Sequence, residues 1–213
     1  MNSTSTFIFN VMEWITRFAY VNLLWITFTL TGGVIFGVFP ATTAMFAVIR
    51  KWLTGNTEIP VFKTFWNYFK HDFVKSNILG VFIIGIAVLI GLDFVFMQVN
   101  VNDLLRLMYL PLSVFMFLFL LFLFYIFPAF VHYDLKLGKI IRNTFLIMLI
   151  SPLHSLLIFI CLVSICFIMA ELPALAFIFG ASTYAFITMW LCLNAFTKIE
   201  KKAENTNSKN AAR

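Results

Sequence analysis

The chain has 213 residues, of which 62% are hydrophobic and 11% are charged, with a formal net charge of +6. A soluble domain has about 25% charged residues, which cover its surface. The 15 basic and 9 acidic residues here are bunched along the chain, so the composition excludes a soluble enzyme, a nucleic-acid-binding domain and a disordered protein. The length is better counted in membrane spans of about 20 residues, and the sequence predicts a polytopic membrane protein.

Five segments are long and apolar enough to cross a bilayer, namely residues 18–39, 77–97, 108–131, 145–169 and 172–196. Each has the length that a helix needs to span about 30 Å of hydrocarbon. Helices are expected because lipid offers no partners to backbone polar groups, and because the long runs lack the alternation of barrel strands. The predicted fold class is an all-α, polytopic transmembrane helical bundle of about five spans, plus a cytoplasmic interfacial amphipathic helix.

The basic residues predict the side of the membrane on which each connecting segment lies. Thirteen of the 15 fall between spans one and two, between spans three and four, or after span five, and only Arg17 and Arg106 fall elsewhere. Because basic segments stay in the cytoplasm, we expect residues 1–17 outside, the interfacial segment 50–76 inside and an odd number of spans. The transmembrane domain then covers residues 18–197, and the polar tail, residues 198–213, is predicted to be cytoplasmic and disordered.

The end of the first predicted span contains glycines and a proline. Gly33 and Gly37 form a GxxxG pair, which lets another helix backbone approach closely. Pro40 then interrupts helical hydrogen bonding, so we expect a bend near Pro40 and a second helical piece, Ala41–Leu53. The three residues predict a tightly packed structural kink. The alternative is a hinge or an unwound binding segment of the kind found in transporters.

The cytoplasmic segment contains an aromatic stripe. Four phenylalanines at spacings of 3, 4 and 4 place their rings on one helical face, namely Phe62, Phe65, Phe69 and Phe73. Lysines lie beside the stripe and Trp66 prefers the headgroup level, so the pattern predicts a helix on a leaflet with anionic headgroups. A docking surface for a partner protein is the rival interpretation. The candidate interaction surface comprises Phe62, Phe65, Trp66, Phe69, Lys70 and Phe73.

Two ionisable residues lie inside predicted spans. His154 falls in the inner half of span four and Asp93 in the outer quarter of span two. Buried ionisable groups in lipid are functional candidates by default, although His154 could equally bond a carbonyl freed by Pro152, and Asp93 could reach water. The alternative function is therefore a small-solute transporter or channel, with these two residues and the span-one threonines lining its path.

Motifs for catalysis or cofactor binding are missing from the sequence. It contains no Walker-type glycine loop, HExxH motif, nucleophile elbow or paired carboxylates within a span. Its cysteines and histidines also lack the spacing of a zinc site. We therefore expect no catalytic, cofactor-binding or metal-binding residues, no cofactor, no enzymatic activity and no nucleic-acid partner.

The run GVFPATTA at residues 37–44, followed by VIRKW at 48–52 and FKTFW at 62–66, resembles the signature of the YesL-like family of bacterial integral membrane proteins. The similarity covers about residues 20–80. The resemblance implies a multi-pass protein of the bacterial plasma membrane, in the context of carbohydrate uptake and degradation systems. The leading hypothesis is a non-enzymatic accessory or interaction subunit associated with carbohydrate uptake or sensing, whose partner is a carbohydrate ABC permease or a sensor kinase.

Overall fold

The computed structural model describes residues 3–99 and 103–211, and every regular element in that part of the chain is an α-helix. The helices are α1 (Ser3–Thr31), α2 (Ile35–Leu53), α3 (Val61–His71), α4 (Phe73–Val99), α5 (Asp103–His132), α6 (Leu137–Ile150), α7 (Pro152–Glu171) and α8 (Pro173–Ala211). The predicted all-α fold class is confirmed.

Four of the described helices are long and apolar enough to cross a membrane, namely Phe73–Gln98, Met108–His132, Pro152–Glu171 and Pro173–Lys201. They correspond to the second to fifth predicted spans. The fourth prediction needs a correction, because residues 145–169 do not form one helix. The chain breaks at Ser151, and Pro152 occupies the first turn of α7, where its missing N–H costs no helical hydrogen bond.

The first predicted span, residues 18–39, is not one continuous helix either. The chain reverses through Gly32–Val34, where Gly33 and Val34 have φ values of 76° and 57°, and α2 then packs against α1. Glycine adopts positive φ readily, whereas valine does so under strain. The bend predicted near Pro40 was therefore placed too late in the chain. Pro40 lies inside α2, near its start, where only one helical hydrogen bond is lost.

The start of α1 and the loop after α2 lie at the same end of this helix pair. Arg17 Nη1 donates to the carbonyl oxygen of Thr57 at 2.7 Å, and Trp14 packs edge-on against Trp52 with ring centroids 5.8 Å apart. Residues in contact cannot lie on opposite sides of a bilayer. The predicted arrangement, with residues 1–17 outside and 50–76 inside, was therefore wrong, because it assumed one span where two antiparallel helices occur.

α2 lies at the centre of the bundle. Between Ala41 and Ile49 only Thr42 is less than fully buried, and α1, α3, α4, α5 and α8 all pack against this helix. Its alanines at positions 41, 44 and 47 allow neighbouring backbones to approach closely. A second core cluster forms around Tyr125 and Ile126 of α5, and receives residues from α4, α6, α7 and α8.

The last helix is longer than the sequence predicted. α8 has 39 residues and continues to Ala211, through most of the tail that was expected to be disordered. Lysine, glutamate and alanine in residues 198–211 are good helix formers, so they extend the helix that begins inside the bundle. At 1.5 Å per residue α8 is about 58 Å long, well beyond the roughly 30 Å of the hydrocarbon layer.

Candidate interaction surface on α3

α3 is a short helix that is fixed along one side of α2. It follows a loop that begins after Leu53, and it packs against α2, α1 and α4. Thr64, Phe65 and Phe69 are its buried residues. On its flank, Lys51 Nζ of α2 lies 5.4 Å from the ring centroid of Tyr68, within the range of a cation–π contact. These contacts hold α3 in one orientation.

Phe28 of α1 sits among four aromatic rings of α3. Its ring centroid lies 6.2 Å from Phe62, 5.2 Å from Phe65, 5.5 Å from Trp66 and 5.0 Å from Phe69. All four separations fall within the range of favourable aromatic pairs. Phe28 itself is only 8% exposed. The aromatic stripe of α3 therefore packs largely against another part of the same chain.

The structure divides the predicted interaction surface in two. Phe65 is fully buried and Phe69 is 7% exposed, whereas Phe62 is 53% and Trp66 43% exposed. Phe65 and Phe69 are core residues, so the prediction that they contact a partner was wrong. A spacing of 3 and 4 locates one helical face but does not tell whether lipid, a partner or the same protein covers it.

The outward side of α3 carries the remaining candidate residues. Its exposed side chains recur at helical spacing along one face, namely Phe62, Lys63, Trp66, Asn67, Lys70 and His71. Trp66 stacks on Phe69, with centroids 6.2 Å apart and ring planes at 13°. Phe73 is half-buried at the start of α4 and meets Phe69 edge-on at 5.6 Å. We call the six exposed residues the outer face of α3.

The predicted GxxxG pair is not formed. A Cβ at Gly33 would meet nothing within 4 Å, because this residue belongs to the turn. A Cβ at Gly37 would lie 2.9 Å from the carbonyl oxygen of Phe28 and would collide with that of Thr29. Gly37 instead packs against Gly32, whose own Cβ would lie 3.1 Å from the Gly37 nitrogen. The adjacent glycines at 32 and 33 were the signal that the sequence interpretation missed.

His154 and Asp93 do not meet in a common path. Asp93 is exposed on α4, which packs against α2, α3 and α5. His154 is half-buried in the first turn of α7, which packs against α5, α6 and α8. The hydroxyls of Thr27 and Thr31 bond to carbonyls of their own helix. The residues that were expected to line a transport path therefore do not form a common site.

A wide groove lies elsewhere, between α1 and α8. It has a volume of about 730 Å³. Its walls are mostly apolar, and its aromatic lining consists of Phe7, Trp14, Phe18, Phe179 and Phe186. Neither His154 nor Asp93 borders it. The groove is therefore an apolar surface feature rather than a polar path.

A polar contact that the sequence did not predict joins α5 to α8. Glu200 accepts a hydrogen bond from Tyr133, and its Oε1 lies 3.4 Å from His132 Nε2. Burial, followed by the negative charge of Glu200 and the hydrogen bond to it, raises the pKa of Tyr133 to about 12. The phenol therefore keeps its proton near neutral pH and donates it. His132 and Glu200 are 68 positions apart, so no local pattern could reveal the contact.

Residues 18–94 match the family described as "Protein of unknown function, DUF624". The chain is 36% identical over 189 residues to the uncharacterized protein YteU of Bacillus subtilis (strain 168), which covers 89% of this chain and 85% of YteU. It is 33% identical to the uncharacterized protein YesL over 192 residues, or 90% of each chain. It is 32% identical to YesV, also uncharacterized, over 88% of this chain and 90% of YesV. No solved structure is significantly similar.

Proposed function

Since the chain belongs to the DUF624 family, with YesL and YteU as relatives, and is a helical membrane protein, we propose that it is a non-enzymatic accessory subunit of the bacterial plasma membrane. Its role is to bind a second membrane protein that takes part in carbohydrate uptake or sensing. The proposed partner is a carbohydrate ABC permease or a sensor kinase, which is the context that the sequence resemblance implies.

The observation that carries the proposal is the rigid presentation of the outer face of α3. Phe62 and Trp66 expose about half of their surface beside Lys63 and Lys70. Phe65 and Phe69 on the opposite side are locked into the core. Aromatic residues carry much of the binding energy in protein interfaces. A surface that is already ordered also loses little conformational entropy on binding.

The two lysines give the same surface a second contact, with anionic lipid headgroups. A cation close to an anionic leaflet contributes about 1 kcal/mol to membrane association. We propose that Lys63 and Lys70 hold α3 at the headgroup level, while Phe62 and Trp66 face the partner. The lipid thus orients the surface, and the rings supply its specificity.

We further propose that both chain termini lie in the cytoplasm. The Arg17–Thr57 contact brings Arg17 to the side of the basic segment 50–76. Fourteen of the 15 basic residues then share one side, leaving only Arg106 opposite. This distribution follows the positive-inside rule more closely than the predicted one. Four single crossings by α4, α5, α7 and α8 return the chain to the side where it began.

Co-purification in mild detergent tests the proposed function. The full chain is expected to recover a permease or sensor-kinase subunit from its native membrane. Recovery should fall at least several-fold in the double variant Phe62→Ala/Trp66→Ala. The matched control is Phe94→Ala/Phe177→Ala, which removes two rings that are also exposed, on α4 and α8, and should leave recovery unchanged. Equal recovery with all three proteins, each correctly folded, would remove the outer face of α3 from consideration.

A further inference from the structure

The α1–α2 pair is too short to cross the bilayer twice. No charged residue occurs between Arg17 and Arg50. The uncharged part of α1, residues 18–31, is about 21 Å long, and that of α2, residues 35–49, about 22 Å, at 1.5 Å per residue. The hydrocarbon layer is about 30 Å thick. Neither helix is among the four described helices that are long and apolar enough to span it.

The turn between the two helices exposes apolar side chains. Leu30 is 63% exposed, Val34 53%, Ile35 66% and Phe36 63%. A helix that begins in water usually has Ser, Thr, Asp or Asn at its N-cap. Here Val34 takes that position, with no side-chain hydrogen bond. The exposed polar side chain at the tip is that of Thr31, and its hydroxyl donates to the carbonyl oxygen of Phe28 at 3.3 Å. The other exposed side chains of the tip are apolar, unlike those expected of a turn in water.

Most backbone donors of the turn bond within it. Of the six N–H groups from Gly32 to Gly37, four successive ones do so: Gly32 to Phe28 O at 3.0 Å, Gly33 to Leu30 O at 3.1 Å, Val34 to Thr29 O at 2.9 Å and Ile35 to Gly33 O at 2.7 Å. Water would accept such hydrogen bonds from an exposed turn, but lipid cannot. Internal hydrogen bonds therefore lower the number of donors that hydrocarbon would leave unpaired.

The position of the tip along α4 gives its depth. The ring of Phe39 fills the space where Gly80 lacks a side chain. Ile35 and Phe36 line a groove with α4 residues from Phe73 to Ile84. The span in α4 continues to Gln98, about 21 Å beyond Ile84 at 1.5 Å per residue. The tip therefore lies beside the first half of this span.

From these observations we infer that α1 and α2 form a re-entrant hairpin. It enters the membrane from the side of Arg17 and Arg50, turns inside the hydrocarbon layer at Gly32–Val34 and returns to the same side. Its tip, residues Leu30, Val34, Ile35 and Phe36, contacts lipid acyl chains. The hairpin thus adds an apolar wedge to one leaflet only, next to the span in α4.

Depth-dependent fluorescence quenching tests this inference. The three native cysteines are replaced by serine or alanine, and a bimane probe is attached to Val34→Cys, Thr54→Cys or Leu172→Cys before reconstitution into vesicles. The probe at position 34 should be quenched several-fold more by lipids brominated near the chain end than by aqueous iodide. The two loop positions are exposed references and should show the reverse. Iodide quenching at position 34 as strong as at position 172 would show that the hairpin crosses the membrane.

A pair of substitutions at Val34 provides an independent test. Val34→Leu and Val34→Asn both keep a side chain at φ 57° and ψ −69°, which is the rare and strained form of the γ-turn, so the two variants carry similar backbone strain. In hydrocarbon the asparagine amide lacks a water partner, so the melting temperature of Val34→Asn in lipid nanodiscs should lie several degrees below that of Val34→Leu. At an aqueous turn the asparagine variant would be at least as stable as the leucine variant. That result would overturn the inference even if the probe experiment failed through poor labelling.

Discussion

The ring of Phe28 in α1 lies 5.0 Å from the ring of Phe69 in α3, measured between centroids. Both residues are buried, and Phe69 in turn meets Phe73 at the start of α4 edge-on at 5.6 Å. This contact joins the hairpin formed by α1 and α2 to the first membrane-spanning helix. The position of α3, and with it the outer face, therefore depends on Phe28.

Replacing Phe28 by alanine should destabilise the protein strongly. Removing a buried phenylalanine leaves a cavity and costs about 3–5 kcal/mol, and here four aromatic contacts are lost together. Thermal unfolding in detergent or nanodiscs measures the effect. The control Leu23→Ala removes a side chain of α1 that is 58% exposed, and it should change stability little. A melting temperature for Phe28→Ala equal to that of the control would contradict the described packing.

A methyl group at Gly37 should also be poorly tolerated. It would collide with backbone carbonyls at the end of α1, which cannot move as a flexible side chain does. Overpacking of this kind costs about 1–3 kcal/mol. Gly85→Ala is the matched control, because a Cβ there meets nothing within 4 Å and alanine favours the helix. We expect Gly37→Ala to unfold at lower temperature than wild type and Gly85→Ala to unfold at the same or a higher one.

Asn22 fastens α1 to α8 by two hydrogen bonds. Its Nδ2 donates to the carbonyl oxygen of Phe177 at 2.8 Å, and its Oδ1 accepts from the Ser182 N–H at 3.2 Å. Asn22→Leu removes both hydrogen bonds, each of which contributes about 0.5–1.5 kcal/mol, while the backbone groups of Phe177 and Ser182 keep their partners within α8. Thr27→Val serves as the control, since that hydroxyl bonds only to Leu23 of its own helix. Similar melting temperatures for the two variants would show that the α1–α8 contact contributes little.

The contact between Tyr133 and Glu200 predicts a measurable coupling. In a double-mutant cycle with Tyr133→Phe and Glu200→Ala, each of which removes the hydrogen bond, the interaction free energy should be about 0.5–1.5 kcal/mol, as for a typical hydrogen bond. Arg142→Gln, which changes neither Tyr133 nor Glu200, is the reference: its effect on stability should simply add to that of Tyr133→Phe. Strictly additive effects of the two substitutions would indicate that the hydrogen bond does not stabilise the fold.

The same tyrosine predicts the direction of a pH effect. Its pKa is raised from 10 to about 12 in the folded protein, so between these pH values the folded state binds more protons than the unfolded one. Stability should therefore fall as the pH rises from 10 to 12. Tyr133→Phe should show a smaller fall over this interval in thermal unfolding. An identical fall in both proteins would mean that Tyr133 does not contribute.

Labelling with a membrane-impermeant maleimide tests the proposed placement of the termini. Thr16→Cys and Thr54→Cys change exposed residues at the same end of the α1–α2 pair. In a background without native cysteines, both should react in inverted vesicles and neither in intact cells. Leu172→Cys, in the loop between α7 and α8, should react in the opposite way. If only one of Thr16→Cys and Thr54→Cys reacted in intact cells, these two positions would lie on opposite sides of the membrane. That result would contradict the Arg17–Thr57 contact.

The sequence predicted where the helices lie along the chain better than which side of each helix faces the core. Runs of apolar residues located four spanning helices, because only helices satisfy the backbone in lipid. The spacing of Phe62, Phe65 and Phe69 likewise predicted an amphipathic helix. It did not show that Phe65 and Phe69 face inward, since a membrane protein is apolar both in its core and towards lipid. Only the tertiary contact with Phe28 shows that Phe65 and Phe69 face the core rather than lipid.

The reversal after α1 was missed for a different reason. The prediction gave weight to Pro40, the stronger helix breaker in the interior of a helix, and treated the preceding glycines as a packing motif. At the reversal, Gly33 and Val34 have positive φ, and valine gives no sequence signal for such a conformation. The prediction therefore separated Arg17 from Thr57, which the structure joins by a hydrogen bond, so one local misreading changed the predicted topology.

The enclosure of α2 has a consequence for how the protein is made. Its segment Ala41–Ile49 is enclosed by five helices, and four of them, α3, α4, α5 and α8, are synthesised after it. The ribosome therefore releases α2 long before its final environment exists. The native packing of α2 must wait until α8 has been inserted, so a chain truncated before α8 would leave the central helix of the bundle exposed on one side.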